Sequence, residues 1–171
     1  NFMNILFTLN DAFVPQVATC MCSIFENNKS AENITVYLIG ERISQENQNK
    51  LKGFAKSYDR KVCIISINNI ADYIDFDFDT NGWSSIILAR LFLDKLLPQE
   101  VDRILYLDGD TLVLEDIGSL FYSDLGDKVI GMCPEPTVDK SRKEFLALKE
   151  YPYHNSGVLL IDLKKWRREE I

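Results

Sequence analysis

Strand-like apolar runs alternate with helical stripes along the first part of this chain, and that alternation leaves few folds open. Residues 4–9 (Asn-Ile-Leu-Phe-Thr-Leu) form a short apolar run, after which Val14, Val17, Ala18, Met21 and Phe25 recur at helical spacing. Residues 34–39 (Ile-Thr-Val-Tyr-Leu-Ile) repeat the run and stop at Gly40. Ser44 can then cap a helix striped by Leu51, Phe54, Ala55 and Tyr58. Residues 62–67 (Val-Cys-Ile-Ile-Ser-Ile) supply a third strand, nearly all apolar, as suits a parallel strand covered on both faces.

The second half continues less regularly. The acidic stretch 72–79, with Tyr73, Phe76 and Phe78, has little periodicity and reads as a loop or a single turn. Residues 84–97 carry Ile86, Ile87, Leu88, Leu91, Phe92, Leu93, Leu96 and Leu97 on almost every side of a helix, which predicts a buried helix ended by Pro98. Residues 103–107 form a central strand that runs into Asp108-Gly109-Asp110. Residues 129–132 and 157–161 are two more short strands, with a helix expected over 145–149 between them. This order argues for an α/β fold, a mostly parallel central sheet with helices on both faces. At 171 residues, 46% hydrophobic and 26% charged, the chain reads as one globular domain over 1–171 that needs no disulfide or structural metal.

The charge balance narrows the partners. The formal net charge is -7, and no basic cluster is longer than Lys164-Lys165-Trp166-Arg167-Arg168, which argues against nucleic acid and gives only weak grounds for a membrane surface. The four cysteines, Cys20, Cys22, Cys63 and Cys133, lack any zinc spacing and read as free thiols. Without an 18-residue apolar run or a signal-peptide pattern, the expected location is the cytoplasm. Neither the glycine-rich dinucleotide fingerprint nor the P-loop occurs.

The sharpest polar feature follows the central strand, where ligands bind in open α/β sheets. In extended chain, Asp108 and Asp110 would point to one side, with Gly109 leaving the backbone open to close approach by a ligand. Two like carboxylates so close call for a shared cation or proton, and their oxygens suit Mg²⁺ or Mn²⁺. Metal binding is the economical explanation, and the alternative is a turn in which the aspartates bond their own backbone. A calcium hand is excluded, because Leu112 and Ser119 stand where it requires oxygen ligands.

Two enzyme classes fit an apolar strand followed by Asp-x-Asp. In a haloacid-dehalogenase-type phosphatase, Asp108 would be the nucleophile and Asp110 the general acid, but the motif here comes late and lacks the downstream partners. In a glycosyltransferase the pair holds a metal on the diphosphate of a nucleotide sugar. The blocks Tyr106-Leu107-Asp108-Gly109-Asp110-Thr111-Leu112-Val113, Ala89-Arg90-Leu91, and the stretch from His154-Asn155-Ser156-Gly157 to Lys164-Lys165-Trp166-Arg167 resemble glycosyltransferase family 8 in the right order. The resemblance runs from Ile5 through Trp166.

That resemblance implies a GT-A (Rossmann-like) fold, a UDP-sugar donor, Mn²⁺ (or Mg²⁺), a saccharide acceptor and transfer of galactose or glucose with retention. It implies that Asp108 and Asp110 are metal ligands. It implies that Arg90 reaches the donor's sugar and phosphates, although an ion pair with Asp94 would also account for that lone cation, and that Asn155 lies near the sugar. Where the family has an Asp and a Tyr for the uracil, this chain has Asn10 and Phe13, with Thr8 and Asp11 as neighbours for base or ribose. His154 reads as a surface or packing residue. The family's metal histidine and the residues facing the anomeric carbon would fall after Ile171, leaving Asn155 as the one catalytic candidate. The chain thus reads as the donor-binding portion of a transferase, with any peripheral membrane contact in the part that follows. A non-catalytic nucleotide-sugar-binding module is the alternative of another class.

Overall fold

A computed structural model describes residues 2–68, 70–73, 84–148 and 150–169. In chain order the elements are β1 (Phe2–Asn10), a 3-10 turn (Asp11–Phe13), α1 (Val14–Asn27), β2 (Asn33–Glu41), α2 (Gln45–Ser57) and β3 (Lys61–Ile67). Two further 3-10 segments, Ile70–Tyr73 and Ser85–Leu91, lead to α3 (Leu93–Leu96), β4 (Arg103–Leu107), α4 (Gly118–Phe121), β5 (Ile130–Pro134), α5 (Lys140–Phe145), β6 (His154–Asp162) and α6 (Leu163–Glu169). The helical stripe of α1 buries Val17, Cys20, Met21, Ile24 and Phe25. Ser44 caps α2 by accepting from Asn47 N, and Leu51 and Ala55 turn inward.

The strands form one six-stranded sheet in the order β3-β2-β1-β4-β6-β5. β1, β2, β3 and β4 pair in parallel, whereas β6 is antiparallel to both β4 and β5 and so alone runs against the rest. Strand alternation divides the core into two layers. Ile5, Phe7 and Leu9 of β1 join Leu105 of β4 against α1 and α2. On the other face Leu6, Ile104 and Tyr106 pack with Ile86, Ala89, Leu93, Leu163 and Trp166. Each fully buried Leu or Ile side chain contributes about 1.5–3 kcal/mol, and β1, with both faces covered, anchors the two layers to each other. Helical elements therefore cover both faces of a mostly parallel sheet, as the sequence indicates.

The order also sets the site. The chain passes from β1 outward through β2 to β3, then crosses back so that β4 lies on the other side of β1. The carboxyl ends of β1 and β4 thus stand side by side where the winding reverses, the place at which such sheets open a crevice for ligands.

Three details differ from the sequence expectation. The buried helix over 84–97 is instead a 3-10 segment and the short α3, separated by Phe92 at φ -125. A helix apolar on all sides has no face to give to water, whereas the tighter turn brings Ile86 and Ala89, three residues apart, onto the sheet and leaves Leu91 53% exposed. The helix expected over 145–149 lies earlier, at Lys140–Phe145, because Asp139 caps it through Ser141 N; Lys149 is outside the described residues. The expected strands 129–132 and 157–161 are Ile130–Pro134 and His154–Asp162. Of the loop or single turn expected over 72–79, Asp72 and Tyr73 close a 3-10 turn, in keeping with that expectation, and the rest lies outside the described residues.

The basic stretch of α6 serves the fold. Arg167 donates to the carbonyls of Leu97, Pro98, Gln99 and Val101, and Lys165 faces Asp162 at 3.6 Å. All four cysteines are free thiols. Among the described residues no helix is long and apolar enough to cross a membrane.

Candidate functional site

A cleft of about 470 Å³ opens over the ends of β1 and β4. Thr8, Asn10, Phe13, Arg90, Asp108, Gly109 and Asp110 all line it. Asn10 ends β1 and its Oδ1 accepts from Phe13 N at 3.2 Å, which turns the chain and brings the Phe13 ring to the cleft wall. Asp11 takes another direction: its Oδ1 accepts from Ser44 N at 2.8 Å and Asn47 Nδ2 at 2.9 Å. These bonds hold its carboxyl below the usual range, the Ser44 backbone bond first among them. Asp11 thus ties the end of β1 to the start of α2.

The acidic pair sits on a turn, where the sequence suggested extended chain. Thr111 N donates to Asp108 O at 3.2 Å, and Thr111 Oγ1 donates to the same carbonyl at 2.7 Å, so Gly109 and Asp110 form the bend. The strand has reached its last sheet partner, since Asp108 N donates to Gly157 O of β6 at 2.8 Å. The turn keeps both carboxylates on the cleft. Gly109 is buried, and a Cβ there would stand 2.6 Å from Val17 Cγ2 and 3.2 Å from the Phe13 ring, so only glycine lets the turn lie on α1.

Arg90 is built into the cleft wall. Its Nε donates to Ile87 O at 2.9 Å, and its Nη1 donates to Ser156 O at 2.9 Å and Ser156 Oγ at 3.2 Å. The guanidinium lies over the Tyr106 ring, 4.7 Å from its centroid, and Nη2 stands 3.9 Å from Asp108 Oδ1. With its side chain only 18% exposed, Arg90 is a fixed cation at the cleft, facing Asp108. Tyr106 donates its hydroxyl to Asp108 Oδ1 at 2.7 Å, and Thr8 Oγ1 stands 3.4 Å from the Tyr106 hydroxyl oxygen. Burial pushes the Tyr106 phenol up to about 12, so it remains a donor throughout the neutral range.

Asn155 lies beside this cleft. It lines an adjoining hollow of about 410 Å³ with Glu135, Thr137, Asp139, Tyr153 and His154, and the two cavities share Arg142 and Ser156. Asn155 Oδ1 accepts from Gly157 N at 2.7 Å. A Cβ on Gly157 would meet Asp108 Oδ2 at 2.8 Å and Asn155 Oδ1 at 3.0 Å, so both oxygens overlook the bare Gly157 Cα. His154 is half-buried on the wall of the hollow.

Sequence reasoning missed Tyr106, Ser156 and Arg142 as lining residues. Tyr106 had a readable signal, since it precedes Asp108 by two and therefore shares its face of the strand. Arg142 had none, because only the return of β6 brings α5 to the cleft. The donor set can hold a hard divalent ion: two carboxylates, with the remaining positions left to phosphate and water, is how Mg²⁺-type ions bind. Among the described residues no group of three or more His, Cys, Asp or Glu side chains converges.

The family model for glycosyl transferase family 8 matches residues 4–171. The lipopolysaccharide 1,2-glucosyltransferase of Escherichia coli (strain K12) is 29% identical over 171 residues, covering 96% of this chain and 48% of the relative. The crystal structure of galactosyltransferase LgtC in complex with donor and acceptor sugar analogs superposes with a TM-score of 0.82 and 29% identity, over 97% of this chain and 60% of that one. General stress protein A of Bacillus subtilis (strain 168) is 21% identical over 170 residues, covering 99% of this chain and 59% of the relative. The fold is thus the GT-A arrangement, and the chain spans about half the length of the curated relatives it matches.

Proposed function

The chain belongs to glycosyl transferase family 8, and from that premise we propose that it forms the donor-binding part of a retaining transferase. The enzyme moves galactose or glucose from a UDP-sugar to a saccharide acceptor and depends on Mn²⁺ or Mg²⁺. One observation carries the reading: a single cleft at the β1/β4 reversal is lined by Asn10, Phe13, Arg90, Asp108 and Asp110 together.

Each wall has a chemical part in this reading. Phe13 offers a ring face to the uracil, and Asn10, whose Oδ1 caps the turn, still has its amide N–H groups for a base carbonyl. Thr8 stands near the ribose. Arg90, held by Ser156 and Ile87, meets the donor's phosphates without having to be ordered first. Asp108 and Asp110 would hold the divalent ion, which when bound supplies Lewis-acid charge against the negative charge gathering on the departing diphosphate. Asn155 and the adjoining hollow lie where the hexose and the approaching acceptor would meet. The E. coli relative supports a cell-surface saccharide as acceptor. The family match gives no support to the phosphatase alternative.

Incubation with UDP-galactose and UDP-glucose in Mn²⁺, reading UDP release, tests the proposal. Release that stops with EDTA and in Asp108→Ala and Asp110→Ala supports it. Phosphate release from a small monoester with no cleavage of either donor overturns it, and metal-dependent UDP binding without donor cleavage identifies the non-catalytic module.

A further inference from the structure

We propose that the Tyr106 hydroxyl sets which divalent ion the acidic pair accepts, by keeping one oxygen of Asp108 engaged on the protein side. The inference rests on the metal-dependent reading above and names a specificity-determining positioning residue within that site.

Asp108 Oδ1 has two protein partners, the Tyr106 hydroxyl at 2.7 Å and Arg90 Nη2 at 3.9 Å. Tyr106 is a rigid donor. It is 2% exposed, its backbone is paired to Leu6 on one side and Leu159 on the other, and its ring lies beneath the Arg90 guanidinium. Asp108 Oδ2 instead overlooks the bare Cα of Gly157. With Oδ1 engaged by Tyr106, Oδ2 is the carboxylate oxygen left to a cation in this proposal. Ca²⁺ takes six to eight oxygens and commonly binds carboxylates through both, whereas Mg²⁺-type ions demand near-octahedral geometry and use one or two carboxylates alongside phosphate and water. Fixing Asp108 as a one-oxygen ligand therefore favours Mn²⁺ or Mg²⁺ over Ca²⁺. Packing in the second core layer and the stack with Arg90 need only an aromatic ring; the bond to Asp108 needs the hydroxyl.

The test is Tyr106→Phe, with Mn²⁺ affinity read by electron paramagnetic resonance in the presence of UDP, Ca²⁺ affinity by competition, and UDP affinity in EDTA. The expected result is a fall of about tenfold in the Mn²⁺ to Ca²⁺ affinity ratio, the scale on which losing a partner of a metal ligand acts. Metal-free UDP affinity and the circular dichroism spectrum stay unchanged. An unchanged ratio in a folded variant overturns the proposal, as does an equal loss for both metals and for metal-free UDP, which marks a general packing role. A wild-type protein that binds no Mn²⁺ with UDP overturns instead the functional reading beneath it.

Discussion

Gly157 lies so close beneath Asp108 that a Cβ on it would stand 2.8 Å from the carboxylate Oδ2. The glycine of β6 thus shapes the acidic site from the neighbouring strand. Gly157→Ala is expected to displace the Asp108 carboxylate and weaken Mn²⁺-dependent UDP binding by about tenfold or more. Strand stability should change by less than about 1 kcal/mol, since alanine is the better strand residue. Calorimetric titration set beside thermal melting separates the two effects.

Gly109 has the opposite character. Its missing side chain makes room for α1, with Val17 Cγ2 2.6 Å from where a Cβ would be. Gly109→Ala is expected to destabilise the protein by about 1–3 kcal/mol through overpacking. Adding Val17→Ala should recover part of that loss, a coupling that a double-mutant cycle in urea reads directly.

Arg90 meets its surroundings with a fork that lysine cannot reproduce, bonding Ile87 O and Ser156 O while stacking on Tyr106. Hydrogen bonds to charged groups are worth about 1.5–3 kcal/mol. Arg90→Lys is therefore expected to slow UDP release from the donor by about 10- to 100-fold, measured as kcat/KM.

Asp11 supports the fold in a pH-dependent way. Its carboxyl is held below the ordinary aspartate range because Ser44 N and Asn47 Nδ2 bond the ionised form. A lowered folded-state value adds stability that is full above the unfolded value and is lost as pH falls through the folded one. Asp11→Ala should thus melt below wild type at pH 7, and the gap should start to close below about pH 4, near the unfolded Asp pKa. Melting curves from pH 7 to pH 2 check this.

The sequence made the sheet legible because its strands are apolar on both faces and its first two long helices carry clear stripes. Ile5, Phe7 and Leu9 facing one layer and Leu6 the other is what a short apolar run predicts. The order in which the strands lie was not readable from those runs, since β6 pairs with β4 across an excursion that carries β5 and α5. For the same reason the sequence placed Asn155 by resemblance alone and left Arg142 out. Segment 84–97 misled because an apolar stretch without a polar face gives no period to read, and its 3-10 turns are set by the sheet it covers. Asp11 shows the converse: a carboxylate next to base-binding candidates proved to be a tie to α2, through partners more than thirty residues away.

In the proposed function the cleft between β1 and β4 binds a uridine diphosphate donor through Asp108, Asp110 and a divalent ion. Titration of UDP into the protein with Mn²⁺, repeated in EDTA and with Asp108→Ala and Asp110→Ala, tests it most directly. Saturable binding is expected that is tight with the metal and much weaker in EDTA and in both variants. Binding that persists unchanged in EDTA and in both variants, or no binding in Mn²⁺, would contradict it.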